Sequence, residues 1–114
     1  MLPSRVLEVR YYLTKDGRSP FEEWFSSVDS GARAKLVAAV SRLEQGNTSN
    51  VKSVGEGVLE YRIDSGPGYR MYFGRDGATL VILLTGGTKK RQRRDIANAA
   101  ALWAEYKARK RLFR

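Results

Sequence analysis

Residues 59–84 read LEYRIDSGPGYRMYFGRDGATLVILL, and this stretch decides the fold. Leu59, Tyr61 and Ile63 alternate with Glu60, Arg62 and Asp64, the two-residue period of a strand with one apolar and one polar face. Ser65-Gly66-Pro67-Gly68 is a turn, after which Tyr69, Met71 and Phe73 alternate with Arg70 and Tyr72. Asp76-Gly77 is a two-residue hairpin signal. Residues 79–84 are nearly all apolar, as in a strand covered on both faces. Three strands in immediate succession predict an antiparallel meander.

Register follows from the same stretch. A tight loop at Asp76-Gly77 pairs Arg75 with Ala78, Phe73 with Leu80 and Met71 with Ile82, and it sets Val81 and Leu83 beside Tyr72 and Arg70. In the earlier hairpin, keeping apolar faces together pairs Leu59 with Phe73, Tyr61 with Met71 and Arg62 with Arg70. Like charges directly opposite on a sheet cost about 0.2–1 kcal/mol. The facing arginines therefore read either as an anion clamp suited to phosphate, or as a surface lattice neutralised by Glu60 and Asp64.

Outward from the meander, Val6-Leu7-Glu8-Val9-Arg10-Tyr11-Tyr12 predicts a first strand. Ser19-Pro20 supplies a cap and a first-turn proline, with Glu22 and Glu23 following, for a short helix ending near Phe25 or Val28. Its Phe21, Trp24 and Phe25 are expected to pack on the sheet. A second helix is expected from Asp29 or Ser30 to Gln45, closed by Gly46, followed by a polar loop over residues 46–50. Thr85-Gly86-Gly87-Thr88 is expected to break the sheet, and a long helix to run from about Lys89 to Lys110 with Trp103 in the core. The order is β-α-α-β-β-β-α, an α+β fold, in one domain over 1–114.

The 114 residues carry 21 Lys plus Arg against 12 Asp plus Glu, no Cys and no His. Without Cys there are no disulfides, zinc–thiolate sites or cysteine nucleophiles. Without His the usual neutral-pH base and the commonest metal ligand are missing. No carboxylate cluster of metal-binding type stands out, so neither metal nor cofactor is expected. No run is long and apolar enough to span a bilayer, and Met1-Leu2-Pro3-Ser4-Arg5 leads into no signal-peptide core. A cytoplasmic protein with no membrane partner is expected.

The charge is uneven. Residues 1–85 are nearly balanced, whereas residues 86–114 hold 10 basic and 2 acidic residues. Such a localised positive field suits nucleic acid or another polyanion. Thr88 as an N-cap would place Lys89, Lys90 and Arg91 against the helix dipole, so helix stability does not explain them. With amides exposed after Gly86-Gly87, they predict a phosphate site that Arg93 and Arg94 extend. Lys107, Arg109, Lys110, Arg111 and Arg114 suit the dipole where they stand and carry less functional weight.

The runs Tyr61-Arg62-Ile63-Asp64, Gly66 to Gly74, Leu80 to Leu84 and Gly87-Thr88-Lys89-Lys90 resemble the "addiction module killer protein" group, HigB-like toxins of the RelE/ParE superfamily in type II toxin–antitoxin systems. The resemblance extends to Phe21-Glu22-Glu23-Trp24 and to residues 95–103. It implies a RelE-like, microbial-RNase-like fold with a basic concave sheet face. It also implies cleavage of mRNA in the ribosomal A site by a 2′-hydroxyl attacking the adjacent phosphate. By this resemblance Arg70 matches a phosphate-contacting arginine, Arg62 lies where a catalytic lysine stands, and Lys90, beside Lys89, holds the basic position after the last strand. Fixed cations around a phosphorane are electrostatic catalysis, which needs neither His nor metal.

Where relatives carry Tyr or His early in the last helix, this chain has Asp95-Ile96. The candidate base is Tyr72, with Glu60 behind it. The expected function is thus a ribosome-dependent mRNA endonuclease toxin with a cognate antitoxin, the ribosome and mRNA as partners. The alternative is a non-catalytic, ParE-like toxin binding a protein target such as DNA gyrase through its basic C-terminal segment, and a third reading is a basic RNA-binding domain without toxicity. A short or helical segment of an acidic or amphipathic antitoxin is expected across the Arg62–Arg70–Lys90 face.

Overall fold

A computed structural model describes residues 6–112; the expectations placed on Met1–Arg5 and on Arg114 lie outside them. The chain forms β1 (Glu8–Tyr11), α1 (Pro20–Ser27), α2 (Ser30–Glu44), β2 (Val51–Gly55), β3 (Val58–Ile63), β4 (Tyr69–Asp76), β5 (Leu80–Thr88), a 3₁₀ turn (Lys89–Arg91) and α3 (Gln92–Leu112). This is an α+β fold. The five strands form one mixed sheet in the order β1-β5-β4-β3-β2, with β1 parallel to β5 and the other pairs antiparallel.

Local chemistry sets the helix ends. The Ser19 hydroxyl accepts from the Glu22 amide at 3.1 Å, and the Asp29 carboxylate accepts from the Ala32 amide at 2.9 Å. Both satisfy amides that a helix N-terminus leaves open. Gly46, at φ +82°, closes α2 by donating its amide to Leu43 at 2.9 Å.

The sheet separates two apolar layers. Phe21, Leu36, Leu43, Tyr61, Met71, Phe73, Val81 and Leu83 meet under α1 and α2, with Trp24 and Phe25 packed against them. Tyr12, Val58, Tyr72, Ile82, Leu84, Ala99 and Trp103 form the layer under α3. Gly74 leaves room for the second layer, since a Cβ there would lie 2.5 Å from the Trp103 ring. Gly74→Val is expected to cost about 1–3 kcal/mol through overpacking, read as a lower urea midpoint. An unchanged midpoint would show that Trp103 moves freely.

Three sequence expectations need correction. First, there are five strands, because β2 pairs with β3 through the turn at Glu56-Gly57, where both φ angles are positive. Only Val51 and Val54 are apolar in β2, and a register shift between Ser53 and Gly55 breaks its alternation, which hid it. Second, Gly86 and Gly87 do not leave the sheet: β5 continues to Thr88, with Met71 opposite Gly86 and Arg70 opposite Gly87.

Third, the β4–β5 register differs. Asp76 opposes Leu80, Arg75 opposes Val81 and Gly74 opposes Ile82, so the loop is one residue longer than expected; a bulge then sets Phe73 opposite Leu83 and Tyr72 opposite Thr85. Val81 and Leu83 consequently face α1 and α2, and Ile82 and Leu84 lie with Tyr72. The β3–β4 register is as expected: Leu59 opposes Phe73, Tyr61 opposes Met71 and Arg62 opposes Arg70.

Candidate phosphate-binding site

Strand alternation sends Glu60 and Arg62 of β3, and Arg70 and Tyr72 of β4, to the α3 side of the sheet. Glu60 is fully buried, and Arg70 is only 3% exposed. The Glu60 carboxylate accepts from Arg62 Nε at 2.8 Å and from Gln92 Nε2 at 2.7 Å. Arg70 Nε lies 4.0 Å from the same carboxylate, and Arg70 Nη1 lies 3.6 Å from Asp64. The two arginines thus share one acid, as in the ion-pair lattice, but Glu60 and Arg70 are buried rather than on the surface. Burying such charges costs several kcal/mol unless they are paired and hydrogen-bonded.

Arg70 is incompletely satisfied. Its Nη1 donates to the Tyr69 carbonyl at 3.3 Å, but its Nε makes no hydrogen bond among the described residues. Gly68, at φ +75°, brings the turn against it: a Cβ there would be 3.7 Å from Arg70 Nη1 and 3.2 Å from the Lys89 Cβ. Beside them is a cavity of about 270 Å³ lined by Asp64, Ser65, Gly66, Pro67, Gly68 and Lys89. Lys89, Lys90, Arg91, Arg93 and Arg94 are exposed, and none makes a salt bridge to a described residue.

Electrostatics divide the acids. Burial opposes ionisation of Glu60, but hydrogen bonds from Arg62 and Gln92 outweigh it and hold the carboxylate below the usual glutamate range. Burial raises Asp95, with Arg94 and Arg91 pulling the other way. Its Oδ2 has no hydrogen-bond partner among the described residues, and its carboxyl fills the space above Gly87, where a Cβ would be 1.9 Å away. Sequence reasoning noticed Asp95 only as a departure; a glycine directly across the ladder from Arg70 was the available signal.

Two expectations about the site change. Tyr72 is fully buried, and burial together with the Glu60 and Asp95 charges raises its phenol far above its ordinary value. Burial and these charges disfavour the phenolate that a base at this position requires. The Lys89–Arg91 run, in turn, is a 3₁₀ turn entered from an extended Thr88 that makes no side-chain cap. Arg93 and Arg94 occupy the first turn of α3 instead, beside Asp95, the acidic group suited to that end. Gly86 and Gly87 lie within β5 rather than in a turn before the helix; the cluster of cations remains.

At its other end α3 is docked by polar contacts. Tyr12 donates to Glu105 at 2.5 Å, Arg109 donates to the Tyr12 hydroxyl and the Leu13 carbonyl, and Asp76 receives Tyr106 and Lys110. Arg109 and Lys110 therefore have structural partners. No helix among the described residues is long and apolar enough to cross a membrane, and no group of three potential metal-binding His, Cys, Asp or Glu occurs among them.

The family model for phage derived protein Gp49-like (DUF891) matches residues 23–104, which include every residue of this site. An uncharacterized protein of Haemophilus influenzae is 44% identical over 86 residues, covering 75% of this chain and 87% of that one.

Proposed function

The chain belongs to the phage-derived Gp49-like family, which is associated with toxin–antitoxin modules, and from that premise we propose that it is a type II toxin cleaving ribosome-bound mRNA. The observation that carries this reading is the buried Arg70, held beside a buried Glu60 with its Nε unsatisfied among the described residues, in a chain that also exposes five cations between Lys89 and Arg94. Such an arrangement costs stability, whereas it provides what a phosphorane requires. Arg70, Arg62 and Lys90 hold the scissile phosphate, and Lys89, Arg91, Arg93 and Arg94 hold the flanking backbone. Glu60 orients Arg62 and Arg70.

In this mechanism the RNA 2′-oxygen bonds to phosphorus as the bond to the 5′-oxygen breaks. The 2′-proton passes to water, and the departing 5′-oxygen takes a proton from water. The chain supplies electrostatic stabilisation throughout. An acidic antitoxin segment laid over the same face would exclude RNA.

The test is primer extension on mRNA from cells expressing wild type, Arg62→Ala or Lys90→Ala, both at positions with solvent access. Each variant is expected to lose cleavage at least tenfold. Undiminished cleavage in both removes the site. Growth arrest with intact mRNA and broken DNA would instead support a gyrase-type protein target, and unaffected growth would leave a plain RNA-binding domain.

A further inference from the structure

Asp95 is a buried acid to which the phosphate site assigns no task. It is 9% exposed, forms no ion pair among the described residues, and has no hydrogen-bond partner there for its Oδ2. Burying an unpaired carboxylate costs stability, and an asparagine would fill the same space without that cost. The space is nonetheless kept for it. Gly87 opposes Arg70 in the β4–β5 ladder, and a Cβ at Gly87 would stand 1.9 Å from Asp95 Oδ2. The carboxyl therefore takes the place of the side chain that would be the cross-strand neighbour of Arg70, where Cβ atoms lie about 4.5–5.5 Å apart.

Two further buried polar atoms lack a hydrogen-bond partner among the described residues, Arg70 Nε and the Tyr72 hydroxyl. Strand alternation sends both side chains to the α3 face, and the Asp95 charge helps to raise the Tyr72 phenol. A donor, a hydroxyl and an acceptor thus surround the Arg70–Gly87 pair, the kind of polar surroundings that hold a buried water. The other acids near Arg70 are committed or loose. Glu60 accepts from Arg62 and Gln92, whereas the Asp64 side chain is 86% exposed and pairs with Arg70 Nη1. Only Asp95, among the described acids around Arg70, combines a fixed position with an unused oxygen.

We infer that Asp95 is the proton acceptor of the proposed cleavage, drawing the 2′-proton through one water held between its Oδ2 and the Tyr72 hydroxyl. The inference rests on the nuclease reading and names the group that completes it. As the 2′-oxygen bonds to phosphorus, its proton moves to that water, which gives one of its own to the Asp95 carboxylate. The bond to the 5′-oxygen breaks, the departing oxygen takes a proton from solvent, and Asp95 later returns its proton to solvent. Arg70 stabilises the phosphorane on the other side of the reacting atoms. A base acting through a single water is within the reach that proton transfer needs. The charged and titratable groups around Asp95 are Arg91 and Arg94 beside it, Arg70 and Tyr72 on β4, and Glu60 on β3 next to Tyr72.

The experiment measures single-turnover cleavage of mRNA on purified ribosomes between pH 6 and 8, together with urea midpoints, for wild type, Asp95→Asn and Asp64→Asn. Asp95→Asn is expected to slow cleavage about a hundredfold at pH 7, within the usual contribution of a positioned base, with ribosome binding unchanged and a urea midpoint no lower than wild type. The wild-type rate is expected to level off as pH rises. The Asp95→Asn rate is expected to keep climbing about tenfold per pH unit, because hydroxide then replaces the missing acceptor. An Asp95→Asn rate within threefold of wild type overturns the inference. So does a less stable variant whose pH profile runs parallel to wild type, the mark of a structural acid, and so does a loss confined to Asp64→Asn. If wild type itself leaves ribosome-bound mRNA intact, the nuclease reading fails and the inference falls with it.

Discussion

Replacing Arg70 by lysine is expected to lower cleavage of mRNA on purified ribosomes about a hundredfold or more, with ribosome binding nearly unchanged. The guanidinium is only 3% exposed, with the Glu60 carboxylate 4.0 Å from its Nε and the Asp64 carboxylate 3.6 Å from its Nη1. Its donors are consequently fixed before substrate arrives. Removing one preorganised donor from developing charge costs about 10²–10³ in rate, and an ammonium cannot reproduce the planar fork. In the proposed mechanism ground-state affinity rests mainly on the five exposed cations between Lys89 and Arg94, so single-turnover rate and binding should separate. Arg70→Met, which keeps the volume, should lose activity further while remaining folded by circular dichroism. Cleavage within threefold of wild type in both variants would remove Arg70 from the chemistry.

Replacing Glu60 by leucine is expected to lower stability by about 3–5 kcal/mol, because it strands the buried Arg70 charge. The double variant Glu60→Leu with Arg70→Met should recover most of that loss, since removing both partners leaves no uncompensated ion. The pH dependence carries the same signature. Glu60 titrates below its ordinary value because the Arg62 and Gln92 hydrogen bonds outweigh burial. As pH falls below about 4, near the unperturbed glutamate pKa of about 4.3, the unfolded chain binds the proton first. The stability supplied by Glu60 is present above that value and lost as pH falls through the folded pKa. Asp95 acts oppositely: its folded pKa is raised, so its charge costs stability at neutral pH and the cost disappears on acidification. Urea midpoints between pH 3 and 7 should show the gap between wild type and Glu60→Leu narrowing toward pH 3. A gap independent of pH would mean that the leucine acts through packing alone.

Much of the fold was legible because it is local. Ser19-Pro20, Asp29 and Gly46 mark helix ends through groups that satisfy their own neighbours' backbone. Residues 59–73 fix their own pairing, since a slip of one residue would expose Tyr61 and Met71. The β4–β5 register was not legible, because its bulge answers a demand from outside the hairpin: Gly86 must pass under Trp24 of α1, and Gly87 under Asp95 of α3. The same long-range packing carried β5 through a Gly-Gly pair that alone reads as a break. β2 escaped because half-exposed edge strands need little apolar pattern.

The sequence by itself determined the charge map, the α+β order and the cross-strand placement of Arg62 opposite Arg70. Each depends on composition or on a two-residue period, which survive without knowledge of distant partners. Tertiary structure alone decided the state of those groups. α3 closes over Glu60 through Gln92, so one buried acid serves both arginines, the Tyr72 phenol is pushed up, and Asp95 is pressed over Gly87. Burial and charge proximity are sums over elements far apart in the chain, and a protonation state follows from that sum rather than from the residue's name.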